Sequence, residues 1–315
     1  MPMPRARNLI IGCDGTWNDT AGIERTNVPK LLNACATRHQ IVHYEEGVGT
    51  AYLEALPGGI YGKGLDRQIL GAYRFLRKRL NESGWASAQQ NIFIFGFSRG
   101  AYAARRLCGL INHSGIPYRA RDVELGWQMY LNQDVYSASH LQTNGRFFST
   151  TIKFLGVWDS VKSTIDPDYA DLTLSPCVRK ACHAMALDEQ RKPFPVLRFN
   201  ASQRVNQQWF SGVHSDVGGG YPEPDLSDIT LKWMIDQSWA EGLRLKASAV
   251  RALKPNPAGV LHNSLTGPWQ SLGRKIRRVR KEDVVHESVR ARCVEVASYR
   301  PRNASQWLNE FSDLA

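Results

Sequence analysis

The chain has 315 residues, which suit one large domain or two small ones, and a domain of this length buries enough surface to need no metal or disulfide staple. Hydrophobic residues make up 43% and charged residues 22%, so a wholly disordered chain is excluded, and the absence of heptads or repeats argues against coiled coils and solenoids. Lys and Arg number 40 against 29 Asp and Glu, and this net charge of +11 favours polyanionic partners such as an anionic membrane surface or nucleic acid.

The sequence also indicates where in the cell the protein is made. No apolar run approaches the roughly 18–20 residues that span a bilayer. The apolar run after the basic N-terminus, at 9–11, is too short for the core of a signal peptide. The six cysteines contain no CxxC pair and are expected to be reduced thiols. We therefore expect a protein made in the cytoplasm without a signal peptide, and export by a signal-less route stays open.

The first half of the chain alternates predicted strands and helices. An apolar run broken by Asp-Gly opens the sequence as a strand and a turn, and apolar residues at steps of four and three after residue 64 predict an amphipathic helix. The predicted elements are a strand over 8–13, a helix over 26–36, a strand over 41–44, a helix over 65–80, a strand over 91–95 and a helix over 101–111.

The second half continues this alternation before it weakens. Strands are predicted over 151–158, 196–199 and 209–213, and a helix over 226–243. Alternating strands and helices predict an α/β protein with a mostly parallel central sheet and helices on both faces. We expect a single domain over 1–315, in which about 245–285 form a C-terminal elaboration, either a lid or a basic insertion.

The clearest chemical motif lies where the strand over 91–95 runs into the next helix. The sequence Gly-Phe-Ser-Arg-Gly at 96–100 fits G-x-S-x-G, the pattern that exposes a serine on a sharp turn between a strand and a helix. All three parts are predicted here, so we interpret Ser98 as a nucleophile. The alternative is a tight turn with an inert serine.

A nucleophilic serine needs a base, and the base needs a carboxylate that orients it. In α/β hydrolases these groups follow the serine in the order acid, then histidine. Asp159 ends a predicted strand, and His214 follows another and leads into a glycine-rich turn. The sequence therefore predicts a triad of Ser98, Asp159 and His214, with a turn aspartate and a structural histidine as the alternatives. His286 is the alternative base.

Other site features are less specific. The backbone of Arg99, and the turn at Gly15 and Thr16, are candidates for an oxyanion hole, with a plain turn as the alternative. The Asp-Gly-Thr sequence at 14–16 would suit a phosphatase, but that motif begins with an aspartate at the position of Gly12. Asp14, His214 and Asp216 could converge, yet no metal-binding spacing is present, so neither a metal nor a cofactor is expected.

Several sequence blocks together resemble an uncharacterised α/β-hydrolase family that includes type VI secretion phospholipase effectors. The resemblance extends over about 8–307, and its most specific blocks are the serine motif at 96–101 and Gly-Val-His-Ser-Asp-Val-Gly-Gly-Gly-Tyr at 212–221. The other matching blocks lie at 14–18, 44–50, 156–161, 209–211, 286–290 and 299–302. The resemblance implies an α/β-hydrolase fold, ester hydrolysis, a phospholipid substrate, and a triad on Ser98, Asp159 and His214.

The basic stretch at 274–281 is the last predicted feature. It could dock on anionic lipid, since each basic residue near such a surface is worth about 1 kcal/mol, and its alternative is a solvated face. Its basic residues are Arg274, Lys275, Arg277, Arg278, Arg280 and Lys281. No nucleic-acid-binding motif is present, so no specific nucleic acid is expected.

These features predict a serine hydrolase that cleaves carboxylic esters, and the resemblance implies phospholipid acyl esters as candidate substrates. A thioesterase or amidase is one alternative, because the same triad serves these reactions. A catalytically silent hydrolase-fold protein that binds an anionic membrane or polyanion is another. The acyl chain, the head group and the oligomeric state are not specified by the sequence.

Overall fold

The computed structural model describes residues 7–15, 26–47, 60–82, 90–161, 173–305 and 307, with side chains from residue 64 onward in the helix that begins at Ile60. Its strands are β1 (Arg7–Cys13), β2 (Gln40–Glu45), β3 (Gln90–Phe97), β4 (Ile116–Pro117), β5 (Phe147–Phe148), β6 (Ile152–Trp158), β7 (Val178–Ala186), β8 (Val205–Phe210) and β9 (Val284–Val285).

Seven of these strands form the central sheet in the order β2-β1-β3-β6-β7-β8-β9, and every neighbouring pair runs parallel. Strands β4 and β5 form a separate antiparallel pair. The chain builds β2 on one side of β1 and β3 on the other, so the sheet has a topological switch point between β1 and β3. Open α/β sheets bind ligands at the carboxyl ends of strands at such a point.

The helices connect these strands, as parallel pairing requires. They are α1 (Asn27–Ala34), α2 (Ile60–Leu80), α3 (Ser98–Ser114), α4 (Val123–Leu131), α5 (Val135–Thr143), α6 (His214–Gly218), α7 (Asp225–Ala240), α8 (Ala247–Arg251), α9 (Pro268–Ser271) and α10 (Glu287–Glu295), with 3₁₀ turns at Ala120–Asp122 and Arg302–Ala304. No helix within the described parts of the chain combines the length and the hydropathy needed to cross a membrane.

Apolar side chains cover both faces of the sheet. In β3, Ile94 packs into the cluster that holds α2 and α3, whereas Phe93 and Phe95 pack into the cluster that holds α1 and α7. Successive side chains of a strand point to opposite faces, so a central strand buried on both sides is apolar throughout. The predicted α/β class, with a mostly parallel sheet and helices on both faces, is confirmed.

Several elements differ from their predictions, and the strand predicted over 209–213 is β8, which begins and ends earlier, at Val205–Phe210. No strand was predicted over Val178–Ala186, although this segment is the long strand β7, because its alanine, lysine and histidine residues have low β propensity. The strand predicted over 196–199 is wrong. Of this segment only Val196 makes a bridge, to Val161, and the nearby Pro195 has no N–H for a sheet.

The C-terminal elaboration packs beside the loop that follows β7. The backbone N–H of Lys275 donates to the carbonyl of Gln190 at 2.8 Å, and the N–H of Lys192 donates to the carbonyl of Gly273 at 3.1 Å. These bonds hold 273–275 along 190–192. A lid function for about 245–285, and the single-domain organisation, stay predictions.

Candidate active site

Ser98 is the first residue of α3 and stands directly after β3. Its φ is +59°, a left-handed conformation that non-glycine residues rarely adopt. Strained backbone of this kind occurs where surrounding structure holds it for a purpose, and a nucleophile elbow is one such place. The serine is 7% exposed, so its environment is largely protein.

The glycines of the elbow are required by close backbone packing. A Cβ on Gly96 would lie 2.6 Å from the carbonyl oxygen of Gly100, and a Cβ on Gly100 would collide with the carbonyls of Cys13 and Asp14. The sheet register explains the second contact, because Cys13 at the end of β1 lies opposite Gly96. The G-x-S-x-G pattern therefore seats the elbow against the end of β1.

The three residues predicted as a triad are in contact. His214 Nε2 lies 2.8 Å from Ser98 Oγ, and His214 Nδ1 lies 2.5 Å from Asp159 Oδ2. Because an ionised carboxylate only accepts, Nδ1 donates to Asp159 and Nε2 is left to accept the serine proton. Asp159 follows β6, and His214 begins α6 after β8. The geometry is that of nucleophile, base and orienting acid, while the catalytic role of each residue stays a prediction.

His214 is enclosed by aromatic rings. Its imidazole lies 4.6 Å from the ring of Phe97 and 5.1 Å from that of Phe194, measured between centroids. Burial lowers the pKa of His214 from its ordinary value of 6.5, and the hydrogen bond and charge of Asp159 oppose this only in part. A lowered pKa keeps the imidazole neutral, which is the form that accepts a proton.

Asp159 is completely buried and carries an unusual set of partners. Its Oδ1 accepts from the backbone N–H of Ala186 at 2.9 Å, and the guanidinium of Arg277 reaches both oxygens, Oδ1 at 2.5 Å and Oδ2 at 2.9 Å. Burial by itself raises the pKa of Asp159, but the charge of Arg277 and the hydrogen bond from His214 outweigh it. The pKa lies well below its ordinary value, so the carboxylate stays ionised.

A second buried carboxylate, Glu189, binds the backbone of the base. Its Oε2 accepts the backbone N–H of His214 at 3.1 Å, its Oε1 accepts the hydroxyl of Ser264 at 2.9 Å, and Arg191 binds both oxygens. Burial raises the pKa of Glu189, but the hydrogen bond and charge of Arg191 lower it overall to about 2. Sequence reasoning missed Glu189, because it follows the strand that was not predicted.

The predicted oxyanion residues have different outcomes. Arg99 is the second residue of α3, so its N–H belongs to the first helical turn, whose N–H groups face the N-terminal end of the helix. The N–H of Gly15 donates to Asp14 Oδ1 at 2.8 Å, and its role in an oxyanion hole stays a prediction. A Cβ on Gly15 would lie 3.0 Å from Cβ of Ser98, so its backbone does line the elbow. Thr16 lies outside the described residues.

The alternative base is not supported. His286 caps the N-terminus of α10, where its Nδ1 accepts the N–H of Ser288 at 3.2 Å, and its ring stacks on Phe210 at 4.4 Å. Its position is explained by these contacts, and the base position beside Ser98 is filled by His214.

The three residues considered as metal ligands face different partners. Asp14 accepts from Thr26 and Tyr44, and Asp216 binds His262 at 2.6 Å. Across the ranges that the structure describes, no group of three or more His, Cys, Asp or Glu side chains is arranged to hold a metal ion.

The basic stretch needs one correction. Arg277 was predicted to contact an anionic membrane, but it is 7% exposed and bound to Asp159. Burial alternates along the stretch, so Arg277 and Val279 face inward while their neighbours face solvent. The residues that stay exposed are Arg274, Lys275, Arg278, Arg280 and Lys281.

A parallel sheet with a serine elbow at its switch point, and an Asp-His contact aimed at that serine, define an α/β hydrolase. Residues 7–237 match the model of the Tle1-like phospholipase effector catalytic domain of type VI secretion systems, and the chain belongs to this family. The residues after 237, Arg277 among them, lie beyond that match.

Individual relatives are more distant. An uncharacterized protein of Saccharomyces cerevisiae is 29% identical over 228 residues, which are 61% of this chain and 33% of the yeast protein. The crystal structure of an uncharacterized protein from Pseudomonas aeruginosa covers 94% of this chain and 51% of its own, with a TM-score of 0.53 and 17% identity. The Tle1 effector bound to the VgrG spike covers 70% of this chain and 53% of its own, with a TM-score of 0.44 and 20% identity. The chain thus spans about a third to a half of these proteins.

Proposed function

We propose that this chain is a serine esterase that hydrolyses the acyl esters of phospholipids through an acyl-enzyme. The observation that carries the proposal is the continuous hydrogen-bonded series from Ser98 through His214 to Asp159. Membership of a phospholipase effector family supports a lipid ester as the substrate.

The geometry suggests the order of steps. Ser98 Oγ attacks the ester carbonyl while His214 Nε2 takes the hydroxyl proton, and Asp159 stabilises the imidazolium that forms. The carbonyl oxygen becomes an oxyanion that the N–H of Arg99 faces at the start of α3. His214 then gives its proton to the leaving alcohol, and a water molecule repeats the sequence to release the fatty acid and restore Ser98.

The surface beside the triad supports a membrane-borne substrate. Phe194 contacts both the His214 ring and Trp269, at 5.1 Å and 5.3 Å between centroids, so it links the base to Trp269 of the C-terminal elaboration. Just beyond it, Leu272 and Ile276 are 47% and 50% exposed. Exposed cations stand near these apolar side chains in the chain or on the segment bonded to 273–275, namely Lys192, Arg274, Lys275 and Arg278. We name these six residues the docking patch.

Apolar side chains ringed by lysine and arginine suit an anionic lipid surface. The apolar groups enter the interface, and the cations attract acidic head groups within a Debye length of about 8 Å. A docking patch beside the nucleophile would bring the ester to Ser98 without long diffusion of a lipid through water.

Turnover by matched serine variants tests the proposed chemistry. We expect Ser98→Ala to lose about 10⁶-fold in kcat on p-nitrophenyl butyrate and on phosphatidylglycerol vesicles, as nucleophile loss does in such triads. The matched control is Ser139→Ala, at an exposed serine of α5. Undiminished turnover by folded Ser98→Ala would refute the proposal.

Vesicle binding tests the docking patch separately. Arg274→Glu with Lys275→Glu should weaken sedimentation with phosphatidylglycerol vesicles at least 10-fold, and should leave p-nitrophenyl butyrate turnover within a few-fold, since a soluble ester needs no docking. The charge-matched control is Arg119→Glu with Arg121→Glu, two exposed residues before α4. Equal losses in both double variants would mean that net charge, and not this patch, attracts the lipid.

A further inference from the structure

Arg277 has four acceptors in the interior of the protein. Besides the two oxygens of Asp159, its guanidinium donates to the carbonyls of Ala186 at 2.8 Å and Phe194 at 2.9 Å. The planar fork of an arginine matches a carboxylate in this two-pronged way, and the two carbonyls fix the plane of the fork. The two carbonyls thus hold the guanidinium in the orientation that binds Asp159.

We infer that Arg277 is a positioning residue of the active site, which acts through Asp159. A residue of the C-terminal elaboration thus helps to orient the triad. The inference rests on the proposed function of the triad. It extends that function beyond residues 7–237, where the family match ends.

The need for such a residue follows from the position of Asp159. Its φ is +38°, so its backbone is held in a sparsely populated conformation directly after β6. The carboxylate has no exposure to water, and an isolated buried charge is costly unless it is paired. Arg277 supplies the compensating charge and, because it binds both oxygens, fixes the rotation of the carboxylate that faces His214.

The same contact sets how strongly the acid acts on the base. Asp159 Oδ2 is shared between His214 Nδ1 and the Arg277 guanidinium, so the arginine draws on the negative charge that would otherwise stabilise the imidazolium. Among the residues that the structure describes, the other charged or titratable groups near the pair are Glu189, Arg191 and His183. His183 is buried, which lowers its pKa to about 3, so it stays neutral over the range in which His214 acts.

Removal of Arg277 therefore has two expected effects. The carboxylate loses its fixed orientation, and a displacement of about 1 Å at a catalytic group costs about 10²-fold in rate. His214 also faces an unshared negative charge, so its pKa rises and the acidic limb of kcat/KM moves upward by about 1 pH unit. A purely structural arginine would produce neither the shift nor a dependence on Asp159.

The test compares p-nitrophenyl butyrate hydrolysis between pH 4 and 9 for wild type, Arg277→Met and Arg277→Lys. We expect Arg277→Met to lose about 10²-fold in kcat with the upward shift of the acidic limb. Arg277→Lys keeps the charge but not the fork, so it should lose about 10-fold and keep the limb near its wild-type position. The matched control is Arg146→Met, since Arg146 forms a two-pronged ion pair with Asp122 away from the triad.

A second comparison separates positioning from folding. In the Asp159→Asn background, Arg277→Met should cost less than 3-fold further, because the residue through which the arginine acts has lost its charge. If Arg277→Met does not fold, Arg277→Gln carries the same pH comparison, with near-ultraviolet circular dichroism as the check on folding.

Three results would overturn the inference. They are wild-type kcat in folded Arg277→Met, a loss of kcat with an unmoved acidic limb, or an equal loss in the wild-type and Asp159→Asn backgrounds. Failure of the proposed function looks different, because it would leave turnover undiminished in Ser98→Ala, whereas failure of this inference leaves the Ser98→Ala loss intact.

Discussion

Helix α6, which follows β8, takes part in two aspartate–histidine contacts of nearly equal length. His214 Nδ1 lies 2.5 Å from Asp159, and His262 Nδ1 lies 2.6 Å from Asp216. The pairs differ at the other ring nitrogen, because that of His214 faces Ser98. An aspartate–histidine contact is therefore common to a site and to a structural clamp, and the third partner separates them.

In the second pair the third partner is another carboxylate. His262 Nε2 lies 3.2 Å from Glu223, and its ring stacks on Tyr221 at 3.7 Å between centroids. Asp216 also accepts the backbone N–H groups of Val213 and His262. These bonds tie the C-terminal elaboration to the start of α6, so the second pair holds the loop that presents the base.

The pKa values of Asp159 and Asp216 shift in opposite directions. Burial raises the pKa of Asp216, and hydrogen bonds from Val213 and His262 offset this only in part. Burial acts on Asp159 in the same direction, but Arg277 reverses the outcome. The charge of Arg277 is therefore the main reason why the pKa values of the two acids shift in opposite directions.

The largest expected difference between the pairs is in kcat. Asp159→Asn should lower kcat by about 10⁴-fold, since the amide can no longer hold the imidazole in the productive tautomer. The matched variant Asp216→Asn should lower it by less than about 10-fold, because Asp216 acts only on the loop. Steady-state kinetics on p-nitrophenyl butyrate check both, and similar losses would mean that the two pairs are not distinct in role.

The next effect concerns the pH profile. His214 must be neutral to accept the serine proton, so kcat/KM falls as the pH falls through its pKa. Burial lowers that pKa, and the acidic limb should therefore have its midpoint below pH 6.5. The His262→Gln variant should leave the midpoint unmoved. A wild-type midpoint above pH 6.5 would contradict the account of a desolvated base.

The smallest effect on turnover is expected from removal of the clamp. His262→Ala leaves Asp216 without its side-chain partner, and an unsatisfied buried acceptor costs about 1–3 kcal/mol in the free energy of unfolding. Urea unfolding should show this loss, while kcat stays within about 3-fold of wild type. A large drop in kcat at unchanged stability would place His262 in the chemistry.

Glu189 is expected to make the free energy of unfolding depend on pH. Its pKa is about 2 in the folded protein against an ordinary 4.5, so it stabilises the fold above pH 4.5, and this stabilisation is lost as the pH falls through 2. Wild type should thus lose more stability between pH 4.5 and 2 than Glu189→Gln does. Equal losses in urea unfolding at those pH values would contradict the buried ion pair with Arg191.

The sequence was informative where local pattern and chain order sufficed. The serine motif needs only a strand, a turn and a helix that are adjacent in the chain, and Asp159 and His214 follow strands at their carboxyl ends, where parallel sheets gather functional groups. The fold class follows from the same alternation.

The supporting residues depended on contacts that are remote in the chain. Arg277 stands 118 residues from Asp159, and in the sequence it is one of several cations in a basic stretch. Only the alternating burial of that stretch, in which Arg277 and Val279 face inward, separates it from its neighbours. Glu189 follows β7, whose composition does not predict a strand. No sequence signal therefore predicted its contact with the backbone of His214.

Fluorophosphonate labelling, followed by peptide mapping of the modified residue, shows whether Ser98 is the nucleophile that His214 activates. We expect one modified residue, Ser98, with labelling lost in His214→Ala and retained in His262→Ala. Labelling that persists in Ser98→Ala, or that is lost in His262→Ala and retained in His214→Ala, would contradict this expectation.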